Sequence, residues 1–197
     1  MSDQPGMGGI RWLSLILVSL FISAPACIPM AAAEAGRLEV DESEEFRAFI
    51  ATYRCAVVER LEVIHVNRER DTDRFLILAL KASPQSYVQC LFLDGDSRML
   101  CEASSGFYAQ LPVENRRFRM SPEGLAALAR LGFSTDDSEG NFQRMIDIKS
   151  PADLNAVADL ILSAFYEVYG ARVGSQMKWV SPLADIDSRT SSCTPIG

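Results

Sequence analysis

The first pattern along the chain is an uncharged apolar run, WLSLILVSLFISA at residues 12 to 24, preceded by Arg11 and followed by small residues. Its length matches the apolar core of an export leader and falls short of a comfortable membrane span. Ala31-Ala32-Ala33 offers an A-x-A cleavage pattern, with Ala33-Glu34-Ala35 and Ala24-Pro25-Ala26 as alternatives. Residues 1–33 are therefore expected to be a signal peptide and residues 34–42 a linker. The protein is expected to be exported, to a periplasm or to the outside. Cys27, just behind Ala24-Pro25-Ala26, leaves a lipoprotein open, and an uncleaved anchor is the remaining reading.

From Asp41 onward the spacing changes. Asp41-Glu42-Ser43-Glu44 has the order of a capping box, and Phe46, Phe49, Ile50, Tyr53, Val57, Leu61 and Ile64 recur every three to four residues. A helix to about residue 66 is expected. The stretch LEVIHVN also alternates, so a strand from Leu61 to Val66 stays open. RFLILALK, residues 74 to 81, is apolar nearly throughout, as in a strand covered on both faces. YVQCLFLDGDSRMLCEAS then reads as two alternating runs about a two-residue Gly95-Asp96 turn. If Asp94 faces Ser97, Leu93 meets Arg98, Phe92 meets Met99, Leu91 meets Leu100, and Cys90 meets Cys101. The same count places Cys90 and Cys101 at a hydrogen-bonded pair.

Ser121-Pro122-Glu123 supplies an N-cap followed by proline at the first helical position, and Gly132 closes that short helix. Phe142, Ile146 and Ile148 alternate with Arg144 on their face, which predicts a fourth strand after an acidic connector. Ser150-Pro151 repeats the cap, and Asp153 adds favourable charge to the first turn of a long helix. Leu154, Val157, Ala158, Ile161, Phe165 and Val168 make its core stripe. Leu160, Leu162, Tyr166 and Tyr169 extend the apolar surface well beyond it, leaving only the line Asp159, Ser163, Glu167 polar. That excess is expected to meet a second chain. The chain thus predicts an α+β fold: an N-terminal helix, an antiparallel meander sheet of about four to five strands, a short helix, and a long C-terminal helix packed on the sheet. The domain runs over residues 43–180, with a polar tail from 181 to 197.

Composition agrees with one globular domain: 197 residues, 48% hydrophobic and 23% charged. A formal net charge of −7 and a pI near 4.8 argue against nucleic acid and anionic membrane surfaces, both of which need clustered cations. No membrane contact is expected beyond the leader. Asn67-Arg68-Glu69-Arg70 and Arg116-Arg117-Phe118-Arg119 are local basic clusters and read as solvated loops.

Removal of a leader ending at Ala33 would take Cys27 with it and leave Cys55, Cys90, Cys101 and Cys193, an even number in an oxidising compartment. Cys90 and Cys101 are a candidate disulfide, since paired strands bring α-carbons within bridging range. Two buried thiols beside Phe92 and Met99 would pack equally well. No C-x-x-C spacing occurs, and His65 is the single histidine, so no metal or cofactor is expected.

The segments RFLILALKASPQSYVQCLFLDGDSRMLCEASSGFY, SPEGLAALARLGF, and GNFQRMIDI followed by a helix ending EVYG resemble, in that order, the TY-Chap group of the type III secretion chaperone-like (YbjN-like) superfamily. The resemblance covers about residues 43 to 172. It rests most on Tyr87-Val88-Gln89, the turn at Gly95, Glu102, Leu131-Gly132-Phe133, and Asn141-Phe142 with Arg144. Unlike the intracellular domains of that bacterial group, this chain begins with a leader pattern and ends in a polar tail carrying Cys193. The resemblance implies a secretion-chaperone-like α+β fold that binds peptides or protein segments through apolar patches, often as a homodimer, and implies no catalysis.

The residues agree independently. There is no G-x-S-x-G, no phosphate loop and no metal-ligand cluster. Asp94, Asp96, Asp136, Asp137 and Glu139 fall in expected turns, where acids serve hydrogen bonding and solubility. No catalytic residue is assigned. Phe107, Tyr108, Tyr166 and Tyr169 are the candidate contacts to a protein or peptide partner, with the core as their plainer destination. A small exported enzyme with an unrecognised site and a structural subunit of an envelope complex remain as alternatives.

Overall fold

The computed structural model describes residues 31–67, 72–108, 120–136, 138, 140–184 and 193, with side chains from Glu44 onward. Residues 1–30, which hold Cys27 and all but the last three residues of the expected leader, lie outside the described residues, as do most of both basic clusters, Asp137 and Glu139. No described helix is long and apolar enough to cross a membrane.

The N-terminal helix α1 spans Ala31–Val66. Asp41 to Glu44 therefore lie inside a helix rather than at its start, and residues 34–42 are part of the same helix. The alanine, glutamate and leucine of that stretch favour the helix strongly enough to carry it past Asp41. Phe49, Tyr53, Val57, Leu61 and Ile64 are buried, which resolves Leu61 to Val66 as helix.

Five strands follow the order β4-β3-β2-β1-β5, all antiparallel. They are β1 (Phe75–Leu80), β2 (Ser83–Leu93), β3 (Arg98–Ala103), β4 (Phe142–Asp147) and β5 (Met177–Val180). The meander β1-β2-β3 is as expected, and β4 extends it. β5 is a short strand that the hydrophobic pattern does not reveal, and it pairs with the outer edge of β1.

The register of the β2–β3 hairpin is the expected one, from Leu93↔Arg98 to Cys90↔Cys101. The turn differs. Pairing closes at Leu93 and Arg98, so four residues, Asp94 to Ser97, form the loop. Asp94, Gly95 and Asp96 all take left-handed φ values of 50°, 62° and 79°, a region that Gly and Asp tolerate better than most residues. A loop longer by one pair shifts the hydrogen-bonding phase, so Cys90 and Cys101 stand at a non-hydrogen-bonded pair. Their α-carbons are 4.1 Å apart and their sulfurs are bonded.

Asp96 is not a solvated turn acid. It is buried and ion-paired with the buried Arg74, whose guanidinium also donates to the carbonyls of Ile64 and His65 at 3.3 and 3.4 Å. One cation thereby satisfies the C-terminal carbonyls of α1 and fixes the hairpin tip against them.

Helix α2 (Pro122–Arg130) starts on Ser121, whose hydroxyl accepts from the Gly124 N–H at 3.1 Å. It ends with Phe133 N–H donating to Leu128 and Gly132 N–H to Ala129, with Gly132 at φ 77°, the paired bonds of a glycine-closed terminus. Helix α3 (Asp153–Glu167) begins differently from expectation. Ser150 does not cap it. Asp153 instead reaches back, accepting from the N–H groups of Lys149 and Ser150, both at 2.8 Å. These bonds hold the Asp153 carboxyl below its usual range, the Ser150 amide contributing most.

The apolar excess of α3 is covered within the chain. Leu160, Leu162 and Tyr166 are buried, and α3 packs along α1. Its polar line bridges to both neighbouring helices: Asp159 binds Arg54 of α1 at 2.6 Å and Glu167 binds Arg130 of α2 at 3.0 Å. No second chain is needed to explain it. Cys55 on α1 and Cys193 are bonded, which ties the C-terminal segment to that helix.

Candidate functional site

The helices cover one face of the sheet. On that face Leu76, Leu78, Val88, Cys90, Phe92, Met99, Cys101, Ala103 and Phe142 are buried, in register across the strands. The alternate residues form the other face, which no described helix covers. β1 is thus not buried on both sides as its apolar run suggests: Phe75 and Ile77 are half-buried and point away from the helices.

Strand register turns this open face into rows. Phe75, Leu91, Leu100 and Met145 lie side by side across β1, β2, β3 and β4. Leu91 is 37% exposed and Met145 47%. The adjacent row is Val180, Ile77, Gln89, Glu102 and Gln143. Its last three members are tied together, because the amides of Gln89 and Gln143 both donate to the Glu102 carboxylate, Gln143 at 3.1 Å. An apolar row therefore runs beside a rigid polar one.

The β4 edge continues the surface. The Gln143 carbonyl accepts from the Ser134 N–H at 2.7 Å, on the side away from β3. Backbone groups alternate in direction along a strand, so Met145 and Asp147 also turn theirs outward. Phe142, Arg144 and Ile146 bond β3 instead. The Arg144 guanidinium donates to the Leu131 carbonyl and lies against Gly132, where an added Cβ would stand 3.4 Å from it. That contact holds the α2–β4 connection over the first half of the edge, and among the described residues no backbone group pairs with the second half.

At the corner where β3 ends and β4 begins, a polar network fixes the chain. The Asn141 amide donates to the Tyr87 hydroxyl at 3.0 Å, the Ser105 hydroxyl donates to the Gly140 carbonyl at 2.7 Å, and the Tyr169 hydroxyl donates to the Ser104 carbonyl at 3.0 Å. Burial pushes the Tyr169 phenol far above its ordinary pKa, with Tyr87 nearby adding to the shift. The network presents Phe107 and Tyr108 at the surface, 46% and 61% exposed, edge to face with centroids 5.0 Å apart. Beside them lies an open polar cleft of about 230 Å³ lined by Ser134, Asp136, Ser138, Gly140, Asn141 and Gln143. Hydrogen bonds from Ser138, its hydroxyl first and then its N–H, hold the Asp136 carboxyl below its usual range. Gln143 belongs to both the cleft and the open face.

Tyr166 and Tyr169 are not part of this surface. Tyr166 is 4% exposed, packed on Phe46 and Phe49 of α1 and covered by Arg172 at 4.0 Å from its ring. Tyr169 is half-buried against Phe165. Both were drawn inward by the packing of α3 between its neighbours. Among the described residues no group of three or more His, Cys, Asp and Glu is placed to hold a metal ion.

Residues that stand apart in sequence meet in three contacts: Gln89 with Glu102, Tyr87 with Asn141, and Arg144 with Gly132. The family model described as "T3SS (YopN, CesT) and YbjN peptide-binding chaperone 3", TY-Chap3, matches residues 51–178. The chain belongs to this family. The TY-Chap3 match begins within α1 and ends within β5, so it takes in β1 to β4, the start of β5 and both later helices. Comparison with curated proteins and with solved structures finds no match. Sequence reasoning missed the open face of this TY-Chap3 domain. The signal was present in β1, apolar at every position, and in Leu91 and Leu100, apolar on the side of their strands opposite the buried cysteines.

Proposed function

We propose that this TY-Chap3 protein is an exported, non-catalytic peptide-binding module that receives an extended partner segment on the open face of its sheet. The observation that carries the reading is the cross-strand row Phe75, Leu91, Leu100 and Met145, which no described helix covers, beside a β4 edge whose second half has no partner among the described residues. An extended segment can add to such an edge through its backbone while alternate side chains rest on the row. The family description, a peptide-binding chaperone, supports the same reading. Export is supported by the leader pattern at residues 12 to 24 and by two disulfides, which persist in oxidising compartments.

The test is selection of binders from a random-peptide library, followed by affinity measurement on two double variants. Leu91→Thr with Met145→Thr should abolish binding, and Phe107→Ala with Tyr108→Ala should leave most of it. Binding that survives the first pair and is lost with the second would move the site to the corner and refute the open face. A library that yields no binder would refute peptide binding itself.

A further inference from the structure

The open face carries two carboxylates, Glu102 and Asp147, on the strands nearest the free edge. Among the described residues neither has a cationic partner. Glu102 is held by two glutamine amides, which are neutral. Asp147 stands opposite Arg98 in the β3–β4 register, yet the Arg98 guanidinium is turned to Asp94 across the hairpin loop. Both carboxylates border Met145: Asp147 lies two residues along β4 on the same face, and Glu102 lies one strand in, beside Leu100. The whole chain has a formal net charge of −7, so long-range attraction has the same sign as these local charges.

We propose that the segment received by this face is basic as well as apolar, with one apolar side chain beside Met145 and lysine or arginine on either side of it, read by Asp147 and Glu102. This rests on the peptide-docking reading and adds the chemistry of the partner. The geometry follows from strand spacing. A strand added to β4 lies about 4.8 Å from it, so its residue level with Asp147 is a direct neighbour. Its residue level with Gln143 is about two spacings from Glu102, a gap bridged by two long side chains extending over Gln143. The apolar residue between them covers Met145. A second copy of the chain fits poorly, since it would bring an equally acidic surface against the same two carboxylates.

The experiment compares labelled peptides in which leucine alternates with lysine, threonine or glutamate, measured by fluorescence anisotropy on the full chain. The chain should bind the lysine peptide about fivefold more tightly than the threonine peptide at low salt, given two partly exposed ion pairs. That advantage should shrink at high salt. It should vanish in Glu102→Gln with Asp147→Asn when lysine and threonine peptides are compared on that variant. Asp147→Asn alone, outside the glutamine ladder, should remove a good part of the advantage and keeps the test sound if the double variant folds poorly. A lysine advantage that persists undiminished in both variants would overturn the proposal, because net charge alone would explain it, and peptide docking would stand. Equal affinity for all three peptides would overturn it likewise. If no peptide binds, the docking reading fails and the proposal with it. A dimer in sedimentation that Leu91→Thr with Met145→Thr breaks would also overturn it, by giving the face to a second copy.

Discussion

Phe142 and Met145 sit three residues apart on β4 and face opposite sides of the sheet, so truncating each to alanine measures the two faces separately. Phe142 is 2% exposed, opposite Ala103 at the start of the strand, and belongs to the main core. Returning a buried phenylalanine side chain to water costs about 2 to 3 kcal/mol. The cavity left behind raises the total for Phe142→Ala to about 3 to 5 kcal/mol. For a chain of this size that is a fall in melting temperature of roughly 6 to 20 °C. Met145 is half exposed on the uncovered face, and Met145→Ala should stay within about 0.5 kcal/mol of the parent. Thermal and urea unfolding followed by circular dichroism would give both values. A one-residue slip of β4 would exchange the faces, so an unchanged melting temperature for Phe142→Ala, or an equal loss for Met145→Ala, would refute the register and the assignment of the open face with it.

The two disulfides should differ in reactivity. Cys55 is exposed while Cys90 and Cys101 are buried, so limiting phosphine followed by alkylation and mass spectrometry should label Cys55 and Cys193 first; labelling of Cys90 and Cys101 at the same rate would contradict their burial. Opening Cys55–Cys193 releases a loop with a sequence separation of 138, which on a chain-entropy estimate costs up to about 5 kcal/mol. The Asp153 carboxyl, lowered by the amides of Ser150 and Lys149, contributes stability that is present above its ordinary pKa and disappears as pH falls through the lowered value. Asp153→Asn should therefore be less stable than the parent near neutral pH, with the gap closing below about pH 4. A gap that is constant with pH would show that these bonds do not depend on the charge.

Periodic elements were legible because each is decided locally. The stripe of α1, the hairpin register, the Ser121 cap and the alternation of β4 all follow from side-chain spacing within one segment. What failed depends on distant parts of the chain. The apolar excess of α3 is evident in Leu160, Leu162 and Tyr166, but nothing in that segment says whether α1 or another molecule covers it. Asp96 looks like any turn acid until Arg74, more than twenty residues earlier, is seen to share its burial. β5, with only MKWV to mark it, is a strand because the edge of β1 is there to pair with. Cys193 finds Cys55 across most of the chain.

The open face is a different kind of omission, because the apolar run of β1 suggests cover on both sides while no described helix lies on the side of Phe75 and Ile77. An antiparallel sheet packed on one side ordinarily alternates apolar and polar positions. Here the row Val180, Ile77, Gln89, Glu102 and Gln143 moves to polar residues as it approaches β4, whereas Phe75, Leu91, Leu100 and Met145 stay apolar from β1 to the edge. Folding does not require that second row. Polar residues would serve the strands equally well, and four apolar side chains in line beside a half-open edge invite association. A surface that keeps them, on a domain of a peptide-binding family, is best explained by a segment that comes to cover them. The acids beside Met145 then set which segments can.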